Sequence, residues 1–351
     1  MNASAMHSWH RWRSAIAWPL VAIVMLLLVN AAFDWTRTGT FAGAFQRGGF
    51  LSIVMIDGRP TGAIMDTLSR GATVALLAIG MALVIAGRGI DLSIGTVMAI
   101  TGVTAAAVVD RGAPGWLAIP AALAAALVCG AWNGFLVTIG RLQPFVATLI
   151  LMVAGRGIAQ ALADGQILTF RDPVIEFLSG GRVPWLPVPV PLLVAMLAAL
   201  VTFIATRRTA AGLLLEAVGS NPGAARLAGI RERLLVFVTY VASALCAGLA
   251  GLIECARVRS ADPSRLGLSL ELAGIFAVVA GGASLAGGRF VLGGAIAGAY
   301  LLQTMTTTMY ARDVSSDVAP LPIACVILAV CLLGSPRFRS DLRAIVKRGK
   351  Q

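Results

Sequence analysis

Charge is scarce in this 351-residue sequence: Asp, Glu, Lys and Arg together make up 13% of it, against roughly a quarter in soluble domains. A soluble enzyme is excluded on that ground. Histidine is scarcer still. His7 and His10 are the only two and lie in the polar N-terminal tail beside no acidic cluster, so neither a Ser/His nor a zinc centre can form among the apolar segments. Gly-x-Ser-x-Gly and His-Glu-x-x-His are both missing, which removes an intramembrane hydrolase. Lysine occurs only in the final tail and no Gly-x-x-x-x-Gly-Lys-Ser/Thr exists, so the chain cannot cradle nucleotide phosphates by that device. The five cysteines, Cys129, Cys246, Cys255, Cys325 and Cys331, are odd in number and without Cys-x-x-Cys spacing. They read as small core residues rather than disulfides or metal ligands.

What the chain has in excess is apolar length: 58% of its residues are hydrophobic and its mean hydropathy is +0.87. Crossing a hydrocarbon core of about 30 Å takes roughly 20 helical residues. Apolar segments fall at 18–33, 69–87, 92–109, 115–139, 143–162, 188–206, 234–256, 270–287, 291–310 and 319–335. They are long and show no period-two alternation, so a transmembrane barrel is excluded. The expected fold is all-α, a polytopic membrane protein of about ten spans. The first apolar run exceeds a secretory h-region and has no convincing small-x-small cleavage site, so it is read as an uncleaved span.

The net charge of +12 is concentrated in three places. The tail before residue 18 holds Arg11 and Arg13, the stretch 207–233 holds five arginines against Glu216 and Glu232, and the tail after Pro336 holds six basic residues against Asp341. By the positive-inside rule all three are cytoplasmic, which leaves no excess charge for a nucleic-acid partner to explain. Parity tests the segment count. With the N-terminus inside, six crossings return 207–233 to the cytoplasm and four more return the C-terminus, while the intervening outer loops are neutral or acidic.

Glycine breaks two of the segments. Gly87-Arg-Gly-Ile-Asp-Leu-Ser-Ile-Gly95 follows Val-Ile-Ala, and Gly281-Gly-Ala-Ser-Leu-Ala-Gly-Gly-Arg289 follows Val-Val-Ala. Corresponding breaks in two halves suggest an internal repeat with broken helices on a substrate route; two tight turns are the alternative. Gly130 with Gly134, and Gly294 with Gly298, have the small-xxx-small spacing of close helix approach. Asp91 in the first break must be paired, hydrated or at a boundary. Arg88 is its nearest partner in sequence, and capping of the next helix with help from Ser93 competes with a role in a polar path. In 207–233, Glu216-Ala217-Val218-Gly219 ends one short helix, Ser220 and Asn221 cap a second opened by Pro222, and Gly229 stops it. Leu227 and Ile230 lie near one side of that second helix and Arg226 on another. Such a helix suits a partner's groove or lies inert on the lipid surface.

The runs Gly89 to Gly95, Leu142 to Leu149, Glu216 to Ile230 and Gly281 to Arg289, in that order between about residues 65 and 335, resemble the ribose-type sugar permeases of bacterial ABC importers. Gln143 to Gly157 and Glu216 to Gly219 are most similar to the galactofuranose-importing branch. The resemblance implies one transmembrane permease domain over residues 1–351, with no catalytic residue and no cofactor of its own, ATP being used by a separate ATPase subunit. It implies that the loop containing Glu216, Ala217, Gly219, Asn221, Arg226 and Gly229 docks on that ATPase. The implied partners are a second permease subunit, the same or related, and a periplasmic sugar-binding protein, at the bacterial inner membrane. The implied cargo is a monosaccharide, galactofuranose-like or another pentose or hexose. A neutral sugar calls for hydrogen-bonding groups and aromatic faces, for which Asp91, Ser93, Trp132, Asn133, Gln143, Phe145, Gln160, Ser284 and Gln303 are the candidates. Each competes with a packing role. Arg88, where a small or uncharged residue is expected, and Ala283, where a second polar one is common, depart from the family pattern. The competing class is an ion-coupled secondary transporter acting alone; Asp91, Glu254 and Glu271 are its few carboxylate candidates, all near segment ends.

Overall fold

The structure, a computed structural model, describes residues 3–40, 45, 49–56, 59–181, 188–315, 318, 321–325 and 328. Runs rich in leucine, alanine and valine fold as helices, because hydrocarbon leaves no other partner for the backbone. In chain order these are α1 (Ala3–Thr38), α2 (Ala63–Ala86), α3 (Ile94–Asp110), α4 (Gly115–Thr138), α5 (Pro144–Leu162), α6 (Pro173–Gly180), α7 (Val190–Phe203), α8 (Ala210–Ser220), α9 (Pro222–Leu227), α10 (Glu232–Val258), α11 (Leu270–Ala280) and α12 (Leu292–Ala311), with a π-helical turn over Ile204–Arg208 after α7. Two small antiparallel ladders complete it: β1 (Val54–Ile56) with β2 (Arg59–Thr61), and β3 (Leu168–Thr169) with β4 (Ser260–Ala261).

Six of the described helical stretches, Ile16–Thr38, Ala63–Ala86, Gly115–Thr138, Pro144–Leu162, Val190–Arg208 and Glu232–Val258, are long and apolar enough to cross a membrane. Nine of the ten expected segments coincide with α1, α2, α3, α4, α5, α7, α10, α11 and α12. One stops well short of its apolar run: α11 ends at Ala280, where Gly281 and Gly282 turn the chain, and the rest of 270–287 is irregular. Most of 319–335 and the whole tail 336–351 lie outside the described residues, as do the side chains of His7, His10, Arg11 and Arg13.

The bundle is built on α2 and α10, which run antiparallel in its centre; α2 is buried along nearly all its length from Gly71 to Ala86. Glycine brings the backbones together. A Cβ at Gly80 would strike the backbone of Ser243, one at Gly130 the backbone of Val241 and Tyr240, and one at Gly134 the ring of Phe237. Gly298 rests on the carbonyl of Ala277 in the same way, joining α11 to α12. Lipid is as apolar as the side chains, so such close van der Waals contact rather than hydrophobic burial drives the association. Both predicted small-residue pairs therefore work as helix seams.

Polar ties close the rim. Asp172 caps α6 by accepting from Val174 N–H at 2.9 Å and Ile175 N–H at 3.1 Å, and its other oxygen takes Gly115 N–H at the start of α4. Arg312 after α12 pairs with Asp34 at 2.9 Å and stacks over Phe33, fastening α1 to α12. Near the middle of α1, Trp18 Nε1 donates to Ala280 O at 2.8 Å.

Candidate functional site

Asp91 is the first element of the site. After α2 ends, residues 89–93 turn back into the bundle, and Asp91 Oδ2 accepts from Ser243 Oγ of α10 at 2.9 Å. Ser243 lies eleven residues into α10, roughly 16 Å along its axis at about 1.5 Å per residue. The carboxylate is therefore near the middle of the bundle, and it is 1% exposed. Its Oδ1 accepts from Ser93 N–H at 3.0 Å and Ser93 Oγ at 2.6 Å, and Ser93 Oγ accepts from Asn133 Nδ2 of α4 at 2.8 Å. Three donors thus face the carboxylate, and no Lys or Arg is within ion-pair distance of it among the described residues. Two neighbouring oxygens, Asn133 Oδ1 and Tyr240 Oη, are buried without a hydrogen-bond partner among the described residues; Tyr240 Oη lies against Gly89.

This geometry corrects two expectations. Arg88 is not the partner of Asp91: its Nε donates instead to Ala286 O at 3.0 Å. The amide held by Asp91 belongs to Ser93, immediately before α3, and α3 has no side-chain cap. The carboxylate fixes the turn that leads into the helix rather than the helix itself.

The two glycine breaks end their helices in the same way. Gly87, Arg88 and Gly89 donate their amides to Leu83, Ile85 and Val84, and Gly281, Gly282 and Ala283 donate theirs to Ala277, Val279 and Val278. Both are Schellman turns, with a left-handed residue that is normally glycine. Gly282 fills that place in the second (φ 82°), whereas Arg88 fills it in the first (φ 67°). A side chain there costs roughly 1–2 kcal/mol.

The 207–233 stretch supplies the remaining element. α8 ends at Ser220 and Asn221 Oδ1 accepts from Ala224 N–H at 3.0 Å to cap α9. Gly229 follows with φ 79°. The helix–cap–helix expectation holds for Asn221 but not for Ser220, which is the last residue of α8 and donates its hydroxyl back to Glu216 O at 2.7 Å. Gly219 is pressed so closely on the carbonyl of Ala86 and the amide of Gly288 that no Cβ fits, and Gly288 N–H donates to Ala86 O at 3.0 Å. Glu216 points back towards the bundle, paired with Arg207 at 3.1 Å. Arg207 also donates to Phe290 O at 2.8 Å. The outward surface is carried by other residues: Leu213, Ala217, Asn221, Ala224, Leu227 and Gly229 are exposed, Leu227 at 92%. Arg226 is exposed as well, hydrogen-bonded to Glu232.

Of the sequence candidates, Asp91, Ser93 and Asn133 are brought together. Trp132 on α4, and Gln143 and Phe145 at the start of α5, are exposed on the flank of the bundle. Gln160, also exposed, donates to Ser264 Oγ at 3.3 Å, while the buried Gln303 donates to Thr307. Ser284 is exposed in the second glycine loop, where its Oγ accepts from Ala286 N–H. Sequence reading passed over Tyr240, Ser243 and Arg207. Ser243 meets Asp91 from 152 residues away, and no local pattern marks such a contact.

The fold is that of a multi-pass helical membrane protein. The chain belongs to the family described as branched-chain amino acid transport system / permease component, which it matches over residues 63–336. It is 44% identical over 340 residues to the galactofuranose transporter permease protein of Escherichia coli (strain K12), covering 97% of this chain and 95% of that one. It is 34% identical over 340 residues to the fructose import permease protein of Bifidobacterium longum (strain NCC 2705), covering 95% and 91%. With the ribose import permease protein of E. coli K12 it shares 35% identity over 278 residues, 78% of this chain and 86% of that one.

Proposed function

We propose that this chain is the membrane permease subunit of an ABC importer for a monosaccharide, galactofuranose-like or another pentose or hexose, in the bacterial inner membrane. The observation that carries the reading is the α8–α9 pair. It offers an exposed surface of small residues between Leu213 and Leu227, while Gly219 and Glu216 bind its base to the bundle. An element of this kind receives a push from outside and delivers it inward. The chain itself carries out no chemistry and holds no cofactor; a separate ATPase subunit docks on α8–α9 and uses ATP.

The finer features follow from the same reading. The basic loop and both termini face the cytoplasm, and the segment 319–335 supplies a tenth span. The two glycine breaks, one in each half of the chain, are read as belonging to an internal repeat. A second permease subunit, a copy or a relative, covers the exposed flank that carries Trp132, Gln143 and Phe145, and a periplasmic sugar-binding protein delivers the cargo. Asp91, Ser93 and Asn133 organise the bundle beside the route, and Ser284 lies at its inner mouth.

The test is reconstitution in liposomes with the ATPase, the partner permease and the receptor loaded with sugar. Sugar accumulation that needs both ATP and receptor is the expected result. Accumulation by the isolated chain under a proton or sodium gradient would instead make it a secondary transporter.

A further inference from the structure

We propose that Glu271 and Arg156 form a subsite for a monosaccharide on the transport route, the carboxylate accepting from one sugar hydroxyl and the guanidinium donating to its neighbour. The proposal rests on the reading of the chain as a monosaccharide permease and names two side chains that meet the cargo.

After β4 the chain does not pass straight into α11. Residues 262–269 make only turns, begun by Asp262, which accepts from Ser264 N–H at 2.8 Å and Arg265 N–H at 3.2 Å. The turns run back along α5. Gln160 donates to Ser264 Oγ at 3.3 Å, and Arg156, one helical turn earlier, donates through Nη1 to Pro263 O at 3.1 Å and Leu266 O at 2.8 Å. Gly267 (φ 73°) then presses on the carbonyl of Gly95, just past the Asp91 turn, so this stretch reaches into the bundle beside the buried carboxylate. Non-helical backbone at such depth is stable only where protein covers it or a water-filled route runs beside it. The chain itself leaves one side uncovered, for Ser264, Arg265, Leu268 and Ser269 are exposed.

Ser269, the last residue before α11, is left-handed as well (φ 64°), a conformation that persists only where the surroundings impose it. It starts α11 so that Glu271, in the first turn, lays Oε2 against Gly95, where a Cβ would overlap it. Arg156 thus ends on Leu266 and Glu271 on Gly95, the two residues that Gly267 joins. Glu271 is 8% exposed, and among the described residues no other side chain hydrogen-bonds it. Arg156 is close enough to act on its charge, yet neither enters an ion pair among the described residues. The two carbonyls hold the guanidinium by Nη1 and leave Nε and Nη2 without a protein acceptor among those residues. A pair kept for stability alone would close, since opposite charges taken from water and held apart forfeit the attraction that offsets their desolvation. Held apart, they suit a neutral cargo. The two charges cancel, and adjacent hydroxyls of a sugar ring offer a donor to the carboxylate and an acceptor to the guanidinium.

The decisive variant is Glu271→Gln, which keeps the size of the side chain and removes its charge. Receptor-delivered uptake of D-galactose, D-ribose, D-fructose, D-xylose and L-arabinose, and ATP hydrolysed, are measured in the same proteoliposomes holding the full complex. For the sugar imported, uptake per ATP is expected to fall about ten-fold, the scale of one lost hydrogen bond to a charged group. The double variant Arg156→Gln/Glu271→Gln, neutral at both positions, should import no better than Glu271→Gln; recovery to the wild-type ratio would reduce the pair to charge balance and overturn the subsite. Saturation-transfer NMR on the receptor-free complex should show magnetisation passing to that sugar in the wild type and several-fold less in Glu271→Gln. An unchanged uptake per ATP, a proportionate fall of uptake and hydrolysis, or equal magnetisation transfer in the two proteins would each overturn the subsite too. If the wild-type complex imported none of the five sugars with ATP, the functional reading would fail and the subsite with it; wild-type import with an indifferent Glu271→Gln would remove the subsite alone.

Discussion

Asp91 illustrates how a single buried carboxyl group is accommodated. Its two oxygens receive Ser93 N–H, Ser93 Oγ and Ser243 Oγ. Asp91→Asn keeps the Oδ1 contacts and turns an amide towards Ser243, whose hydroxyl can rotate to accept it. Asp91→Ala strands Ser93 N–H and both hydroxyls in a buried site, at a cost of about 1–3 kcal/mol per unsatisfied group. Thermal unfolding in detergent should therefore rank wild type above Asn and Asn well above Ala; equal losses for both variants would show that the hydrogen bonds do not hold the turn. Gly219 is the second such residue. In Gly219→Ala the new methyl overlaps Ala86 O and Gly288 N, and overpacking of this kind costs about 1–3 kcal/mol. Because α8 is lifted from its seat, ATP-dependent uptake should drop more than the thermal midpoint does, and normal uptake would remove Gly219 from the coupling path. The importance of both positions was legible in sequence, from a carboxylate in an apolar run and a glycine at the expected end of a helix in the basic loop. Their partners were not, because Ser243 and Gly288 are distant in sequence.

Among the elements, hydropathy located nine helices, because a span must satisfy its own backbone wherever it runs. It failed at the end of α11, which stops at Ala280 inside the apolar stretch 270–287. There the backbone is satisfied by other protein groups, such as Trp18 Nε1 on the carbonyl of Ala280, and composition does not register the change. Cap chemistry did better: Asn221, Pro222 and Gly229 occupy the positions assigned to them. The reading of Glu216 as a docking residue is altered, since its carboxylate turns inward to Arg207 and the outward face belongs to Leu213 and Leu227. Leu227 is 92% exposed, so Leu227→Asp should change stability by less than about 0.5 kcal/mol. If α9 lies in an ATPase groove, the same variant desolvates a carboxylate there and should weaken subunit association about ten-fold or more. Co-purification of the ATPase at the wild-type level would assign α9 to the lipid surface instead.

For the molecule as a whole, charge distribution and close glycine packing describe two sides of one design. The interior is held by backbones too near for side chains and by a few satisfied polar groups, so it moves as packed segments; the exterior is a wide apolar belt interrupted by basic loops. That belt includes α1, where Leu20, Val24, Met25 and Leu28 are all exposed, and it ends at the arginines of 207–233. Under the positive-inside rule those arginines predict the orientation, the property on which an importer's direction depends. Ser220 is exposed at the tip between α8 and α9, whereas Cys129, Cys246 and Cys255 are buried. A Ser220→Cys variant in right-side-out membrane vesicles, with Cys325 and Cys331 replaced by serine, should resist a membrane-impermeant maleimide and react with a permeant one. Inverting the vesicles should make it react with both. The opposite pattern would place α8–α9 outside, beyond reach of any nucleotide-driven partner, and sever the link between the basic end of this bundle and ATP.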